Sequence, residues 1–269
     1  MADYAHLRLE RDGAVARLVL ARPERRNALT HAMMIELEQA FGALRDDDTC
    51  RVVVLRGAGG HFCAGGDLDA MADMPPAPRA GEADPLVPAY RQFGNALLAL
   101  NELPQATIAV VEGSAVGGGF GMACCCDTVV LHENARFGLP EPKVGFIPSQ
   151  IVPFIVRRIG EGATRDLAVT ARLIDGREAQ RLGIGRYLCA DTGSLDRTVA
   201  DLVDDLLKLE PAAVAAAKRL VMSCTGRDIP SVLDAAAESL VGLLRRPQAT
   251  QGIRHFMAKS LPPWAEPRG

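Results

Sequence analysis

The sequence predicts an α/β fold of alternating strands and helices, finished by an all-helical C-terminal part. Two observations predict it. Short apolar runs at 51–55 (RVVVL), 107–111 (TIAVV) and 128–131 (TVVL) have the length and β-branched character of strands, and the first two read as buried. Around them, apolar residues recur at helical spacing, as in Met34, Leu37, Phe41 and Leu44. Strand–helix alternation up to about residue 190, with helices alone after it, argues for an α/β core that need not be doubly wound.

The elements follow in order. Residues 6–10 and 14–20 read as strands joined at Asp12-Gly13, a hairpin signal. The polar stretch RPERRNALT ends in Thr30, a helix N-cap residue, and a helix runs from there to about Asp46. The strand at 51–55 feeds a glycine-rich loop, GAGGHFCAGGDLDAM, which leads into a short helix. The segment 74–88, with prolines at 75, 76, 78, 85 and 88, reads as an exposed, mobile loop. A helix is expected at 89–100, then the strand at 107–111. The stretch RFGLPEPKVGFIP at 136–148 holds too much proline and glycine for regular structure. Helices are expected at 151–159, 161–171 and 175–182, a last strand at 186–189, and helices at 195–209, 211–224, 231–244 and 248–259. The chain divides into a core, 1–194, and a helical C-terminal region, 195–269. That region is too short for a large core of its own and packs on the main domain or on a neighbouring subunit.

Composition excludes several classes. With 269 residues, 48% of them hydrophobic, the chain can bury one large core. Thirty Lys and Arg against 33 Asp and Glu give a net charge of −3 and no reason to expect nucleic acid as a partner. No apolar run reaches membrane-spanning length and no signal-peptide pattern opens the chain. The expectation is therefore a cytoplasmic protein with no membrane partner, or in a eukaryote an imported one lacking its transit peptide. Seven cysteines, an odd number without paired metal spacing, read as buried free thiols; a reactive thiol is conceivable only at Cys63.

Chemistry concentrates at Val111–Asp127, VEGSAVGGGFGMACCCD. Three consecutive glycines after a strand suit a tight turn into a buried helix, whose first N–H groups are unpaired and weakly positive. Familiar motifs fail here. Gly117-Gly118-Gly119 leads to Met122 and not to the last glycine of a dinucleotide fingerprint, and no P-loop occurs. Gly113–Gly117 has alanine where a nucleophile elbow needs serine. His132-Glu133 lacks a second histidine, and Asp67, Asp69 and Asp73 lack calcium-loop spacing, so neither a metal nor any other cofactor is expected. Two glycine-rich loops remain, each following a strand and opening a helix. Side by side they offer converging N–H groups, an oxyanion hole. The sequence adds one acid, Glu141, between two prolines, and an oxyanion hole plus one carboxylate suits proton transfer beside a thioester or similar carbonyl. The alternative stays open that the glycines serve only packing and Glu141 is a surface acid.

RPERRNALT (22–30), HFCAGGDL (61–68), AVVEGSAVGGGFGMACCCD (109–127), ARFGLPEPKVGFIPS (135–149) and LIDGREAQRLGI (173–184) together resemble the crotonase, or enoyl-CoA hydratase/isomerase, superfamily in the right order and over nearly the whole chain. The resemblance implies a ClpP/crotonase-like spiral of β-β-α units and a C-terminal helical region that forms homotrimers, which often pair into hexamers. It implies an acyl-CoA substrate, coenzyme A being part of the substrate. By position, Gly66 and Gly118 supply the oxyanion N–H groups. Ala28, Ala64, Asp67, Leu68 and Asp69 line the CoA site, and Phe256 and Lys259 reach a neighbour's CoA. Glu141 matches the second of the two glutamates of standard hydratases. The first corresponds to Gly121, and Asp69 stands where many relatives have a lysine. Gly121 is therefore expected to open room for a branched or carboxylated acyl chain. The segment from Phe137 looks similar to hydratases of methylglutaconyl- and isohexenylglutaconyl-type thioesters. Hydration of a 2-enoyl-CoA through Glu141 alone is the favoured expectation, with 3-enoyl to 2-enoyl isomerisation or non-catalytic acyl-CoA binding as the alternatives.

Overall fold

The computed structural model describes residues 4–72 and 75–265. A hairpin of β1 (Leu7–Asp12) and β2 (Val15–Leu20) opens the chain, its turn made at Gly13 with φ +54°. Helix α1 (His31–Arg45) starts at Thr30, whose hydroxyl accepts from Met33 N–H at 3.2 Å. It buries Met33, Leu37, Phe41 and Leu44, a stripe at helical spacing. Then come β3 (Val52–Gly57), α2 (Leu68–Ala72), α3 (Leu86–Asn101), β4 (Ala106–Val111), β5 (Ser114–Val116), α4 (Gly118–Cys125), β6 (Thr128–His132) and β7 (Arg136–Gly138). Helix α5 (Val152–Thr170), β8 (Leu173–Asp175), α6 (Gly176–Arg181) and β9 (Tyr187–Cys189) complete the α/β part. Four helices follow: α7 (Thr192–Leu207), α8 (Pro211–Ser223), α9 (Ile229–Leu244) and α10 (Pro247–Met257).

The main sheet has the order β1-β2-β3-β4-β6-β9, antiparallel only at the hairpin. Its central strands are buried on both faces, which is why they read as unbroken apolar runs. Val53, Leu55, Ala109 and Val111 face the larger core with α1, α3 and α4, while Val52, Val54, Ile108 and Val110 face Leu195 and Val203 of α7. A second sheet, β5-β7-β8, lies across the glycine stretch. Phe120 of α4 and Phe137 of β7 meet edge to face, ring centroids 5.5 Å apart, and join that sheet to α4. No helix among the described residues is long and apolar enough to cross a membrane.

Several expectations need correction. Residues 136–138 form β7 despite the glycine and prolines beside them, because Gly117 and Arg136 backbones bond across to the neighbouring strands. Strands β5 and β8 were not legible at three residues each. The helices expected at 151–159 and 161–171 are one run, α5, bent at Gly160 with φ +79°. Helix α3 begins at Leu86, inside the stretch expected to be a loop, whose residues 75–85 carry no helix or strand. Asp73 and Met74, counted in that reading, lie outside the described residues.

One side chain organises the entry to the site. Asn27 is fully buried with φ +58°. Its Nδ2 donates to Ala58 O at 2.9 Å and His61 O at 2.7 Å, and its Oδ1 accepts from Arg22 N–H at 2.9 Å. It thus ties the RPERRNALT turn to the first glycine loop. Asn27→Ala removes these bonds, strands buried backbone groups and leaves alanine in a left-handed conformation. We expect a loss of about 3 kcal/mol in chemical denaturation, with Asn27→Gly losing less because glycine accepts that φ.

Candidate active site

The two glycine loops run in contact. Cys63 N–H donates to Ser114 O at 2.8 Å and Val116 N–H to Cys63 O at 3.1 Å, so the first loop pairs with β5 like a further strand. Two residues on, Leu29 N–H donates to Gly65 O at 2.8 Å and Asp67 N–H to Leu29 O at 3.0 Å. Extended backbone alternates its direction, so the N–H of Gly66 turns away from Leu29. Gly118 is the first residue of α4, where the N–H has no intrahelical acceptor. A Cβ on Gly119 would stand 2.5 Å from Cys63 O, and one on Gly65 would stand 3.2 Å from Val116 O. Only glycine lets these backbones come so close.

Glu141 approaches the same turn at Gly117. It opens the short 3-10 helix Glu141–Val144, held between Pro140 and Pro142, and its carbonyl accepts from Phe146 N–H at 3.0 Å. Its carboxylate reaches the glycine turn. A Cβ at Gly117, which sits at φ +52°, would lie 2.7 Å from Glu141 Oε1. The other oxygen, Oε2, is buried without a hydrogen-bond partner among the described residues. Burial raises the carboxyl above its ordinary value of 4.5, with its own backbone N–H pulling slightly the other way. Glu141 is therefore no surface acid.

Gly121 does not open a space. A Cβ there would come 2.6 Å from Ile151 Cβ, so the Ile151 side chain already fills that direction. Ile151 is itself buried at the start of α5. The room expected from the missing first glutamate is taken up by an isoleucine about thirty positions later, which a linear sequence does not reveal. Gly118 is walled in similarly, with Leu29 Cδ1 at 2.7 Å and the Phe93 ring at 3.2 Å from its Cβ direction.

The residues expected around CoA have the following surroundings. Asp67 is buried and takes Arg22 Nη2 at 3.0 Å on its Oδ2, while Arg22 Nη1 donates to Ala28 O. Burial alone would raise the Asp67 carboxyl, but the Arg22 hydrogen bond, the Ala70 N–H and the Arg22 charge hold it below the usual carboxylate range. Arg22, which the sequence reading passed over, thus joins two of the expected residues and occupies their polar atoms. Ala64 N–H donates to Arg26 O at 3.0 Å. Leu68 is 53% exposed, and exposed Asp69 pairs with Arg25 at 2.8 Å. Phe256 and Lys259 are exposed at the end of α10. Cys63 is fully buried and its thiol is pushed up to about 12 by burial, which removes the reactive-thiol reading.

Known proteins match the chain over nearly its whole length. A sequence model described as enoyl-CoA hydratase/isomerase matches residues 10–267. The chain belongs to the enoyl-CoA hydratase/isomerase family of enzymes. A solved enoyl-CoA hydratase/isomerase from Marinobacter aquaeolei is similar with a TM-score of 0.92 and 38% identity, covering 97% of this chain and 99% of that one. AtuE of Pseudomonas aeruginosa is similar with a TM-score of 0.91 and 41% identity, covering 97% and 100%. The mitochondrial methylglutaconyl-CoA hydratase of Mus musculus is 34% identical over 221 residues, 79% of this chain and 67% of that protein. The fold is the crotonase fold of that family.

Two predictions follow from the site's packing. Gly121→Ala forces its methyl into Ile151 and should cost about 1–3 kcal/mol; Gly121→Ala with Ile151→Val should recover part of this in urea unfolding. The raised Glu141 carboxyl binds its proton more tightly folded than unfolded, so the fold loses stability as pH rises from about 4.5 through the raised value. Glu141→Gln should therefore raise Tm at pH 7 and leave it unchanged at pH 4, read by thermal unfolding at the two pH values.

Proposed function

We propose that the protein hydrates a 2-enoyl-CoA whose acyl chain is branched or carboxylated. The observation that carries this is a single desolvated carboxylate, Glu141, set beside a turn of touching glycine loops. In this reading Gly66 and Gly118 N–H groups hold the thioester oxygen. Water attacks C3 and gives a proton to Glu141, and the thioester oxygen takes up the negative charge as an enolate. Glu141 then returns the proton to C2, so one water is added and the carboxylate is restored. The N–H groups act because they bind the enolate oxygen more strongly than the neutral carbonyl; one such donor is worth about 3 kcal/mol of barrier. The raised carboxyl holds a proton more readily than an ordinary carboxylate, which suits a group that must both take and give one. No cofactor beyond the CoA of the substrate enters this scheme.

A second reading is favoured by Ile151. With the direction of Gly121 filled by an apolar side chain, one acid remains at the site, and one acid suffices to move a proton from C2 to C4 in a 3-enoyl to 2-enoyl isomerisation. The Ala28 and 64–69 segments form the CoA wall in either reading, with Phe256 and Lys259 acting from a neighbouring subunit. Ile229, Leu233, Leu240 and Leu244 leave an apolar stripe exposed along α9, which supports a homotrimer or hexamer.

Mass spectrometry across a panel of 2-enoyl-CoAs tests hydration. A product heavier by one water is expected with at least one branched or carboxylated member, and Glu141→Gln should cut turnover by about 100-fold or more. Absence of hydrated product across the panel, with a 3-enoyl-CoA yielding conjugated thioester absorbance, would replace hydration by isomerisation. Leu233→Asp with Leu240→Asp should lower the mass in light scattering to that of a single chain; an unchanged mass would remove the assembly proposal.

A further inference from the structure

We propose that Arg91 and Gln150 bind a carboxylate at the far end of the acyl chain and so make the site selective for dicarboxylic thioesters. This rests on the reading of Gly118 and Glu141 as the thioester site. The Phe93 ring touches the Cβ direction of Gly118, so α3 forms a wall directly beside the proposed oxyanion donor. The next residue on α3 is Gly94, which is buried. Glycine inside a helix costs about 0.5–1 kcal/mol against alanine, so its place there needs a reason. The reason is visible in what lies on it. Where a Cβ would stand, Arg91 Nη1 lies 2.7 Å away and the Gln150 carboxamide carbon 3.3 Å away, with Gln150 Oε1 closer still. A guanidinium and a carboxamide are thus brought to one spot that any side chain at 94 would occupy.

The position relative to the chemistry fits a distal acyl group. Gln150 directly precedes Ile151, the side chain packed on Gly121 of α4. Arg91 is one helical turn before Gly94 and next-but-one to Phe93. Leu29, Phe93 and Ile151 are apolar and buried, whereas Arg91 is exposed and Gln150 half-buried, so in this proposal the acyl chain runs along carbon and its far end reaches the polar pair at the surface.

The pair is also uncommitted. Arg91, like several other arginines, pairs with no carboxylate among the described residues. Its Nη1 donates to Asn95 Oδ1 at 2.6 Å, which steadies the guanidinium, and its other donors have no partner among the described residues. Gln150 turns its Oε1 to this spot, and a half-turn of the carboxamide would bring its Nε2 hydrogens to the same anion. A guanidinium with one amide donor matches the two oxygens of a carboxylate.

The test uses two saturated, unreactive thioesters of equal chain length, glutaryl-CoA and pentanoyl-CoA, titrated calorimetrically into the full-length protein. Glutaryl-CoA should bind at least about tenfold more tightly, the worth of one charge-assisted hydrogen bond. Arg91→Met should bring the ratio of the two Kd values near one, Gln150→Leu should lower it, and Arg91→Lys should keep part of it. Equal wild-type binding of the two, or a ratio that survives Arg91→Met in a variant with wild-type circular dichroism, overturns the proposal and leaves the acyl-CoA site standing. Failure to bind either thioester overturns the site reading, and this proposal with it.

Discussion

The contact between residues 63–66 and 115–119 is the constraint on which the site depends. Cys63 pairs with Ala115, and one strand's width away Gly66 pairs with Leu29, so the first glycine loop is stitched on both sides. Backbones packed this tightly exclude side chains. That is why glycine stands at 65 and 119, where a Cβ would meet Val116 O and Cys63 O, while the N–H of Gly118, first in α4, has no intrahelical acceptor. Asn27 holds the entry to this region from beneath, and the Phe120–Phe137 pair holds α4 against the second sheet. The large core behind holds these few backbone atoms rigidly, as the proposed oxyanion hole requires.

Glu141 shows the opposite economy. Its carboxyl is desolvated, and Oε2 lacks a partner among the described residues, an arrangement that opposes folding when the group is ionised. A structural acid would be paired, as Asp67 is with Arg22 and Glu112 with Arg56. Such strain against stability is what a proton-transfer group near neutral pH requires.

The fold was largely legible because its main signals are periodic. The central strands and α1 declare themselves through burial on two faces or one stripe, and the glycine loops through residues that regular structure avoids. Strands β5, β7 and β8 were missed for a physical reason: three-residue strands are fixed by partners distant in sequence, and local composition at Arg136–Gly138 argues against them. The site divides in the same way. Glu141 and the glycines stand out as residue types in unusual places. Ile151 behind Gly121, Arg22 between Ala28 and Asp67, and Arg91 with Gln150 over Gly94 are ordinary residues whose meaning lies in what they touch. A missing glutamate suggested open space, but packing closed it with a side chain from another helix.

The central claim is that the glycine N–H groups stabilise a thioester enolate and that Glu141 carries its proton. Hydrogen exchange at C2 of a saturated acyl-CoA in deuterium oxide reads this directly, without water addition or double-bond movement. The account predicts deuterium at C2 with the wild-type protein, detected by mass spectrometry, and loss of that exchange in Glu141→Gln while the thioester still binds. A thioester that binds and does not exchange, or that exchanges equally fast in Glu141→Gln, would contradict it.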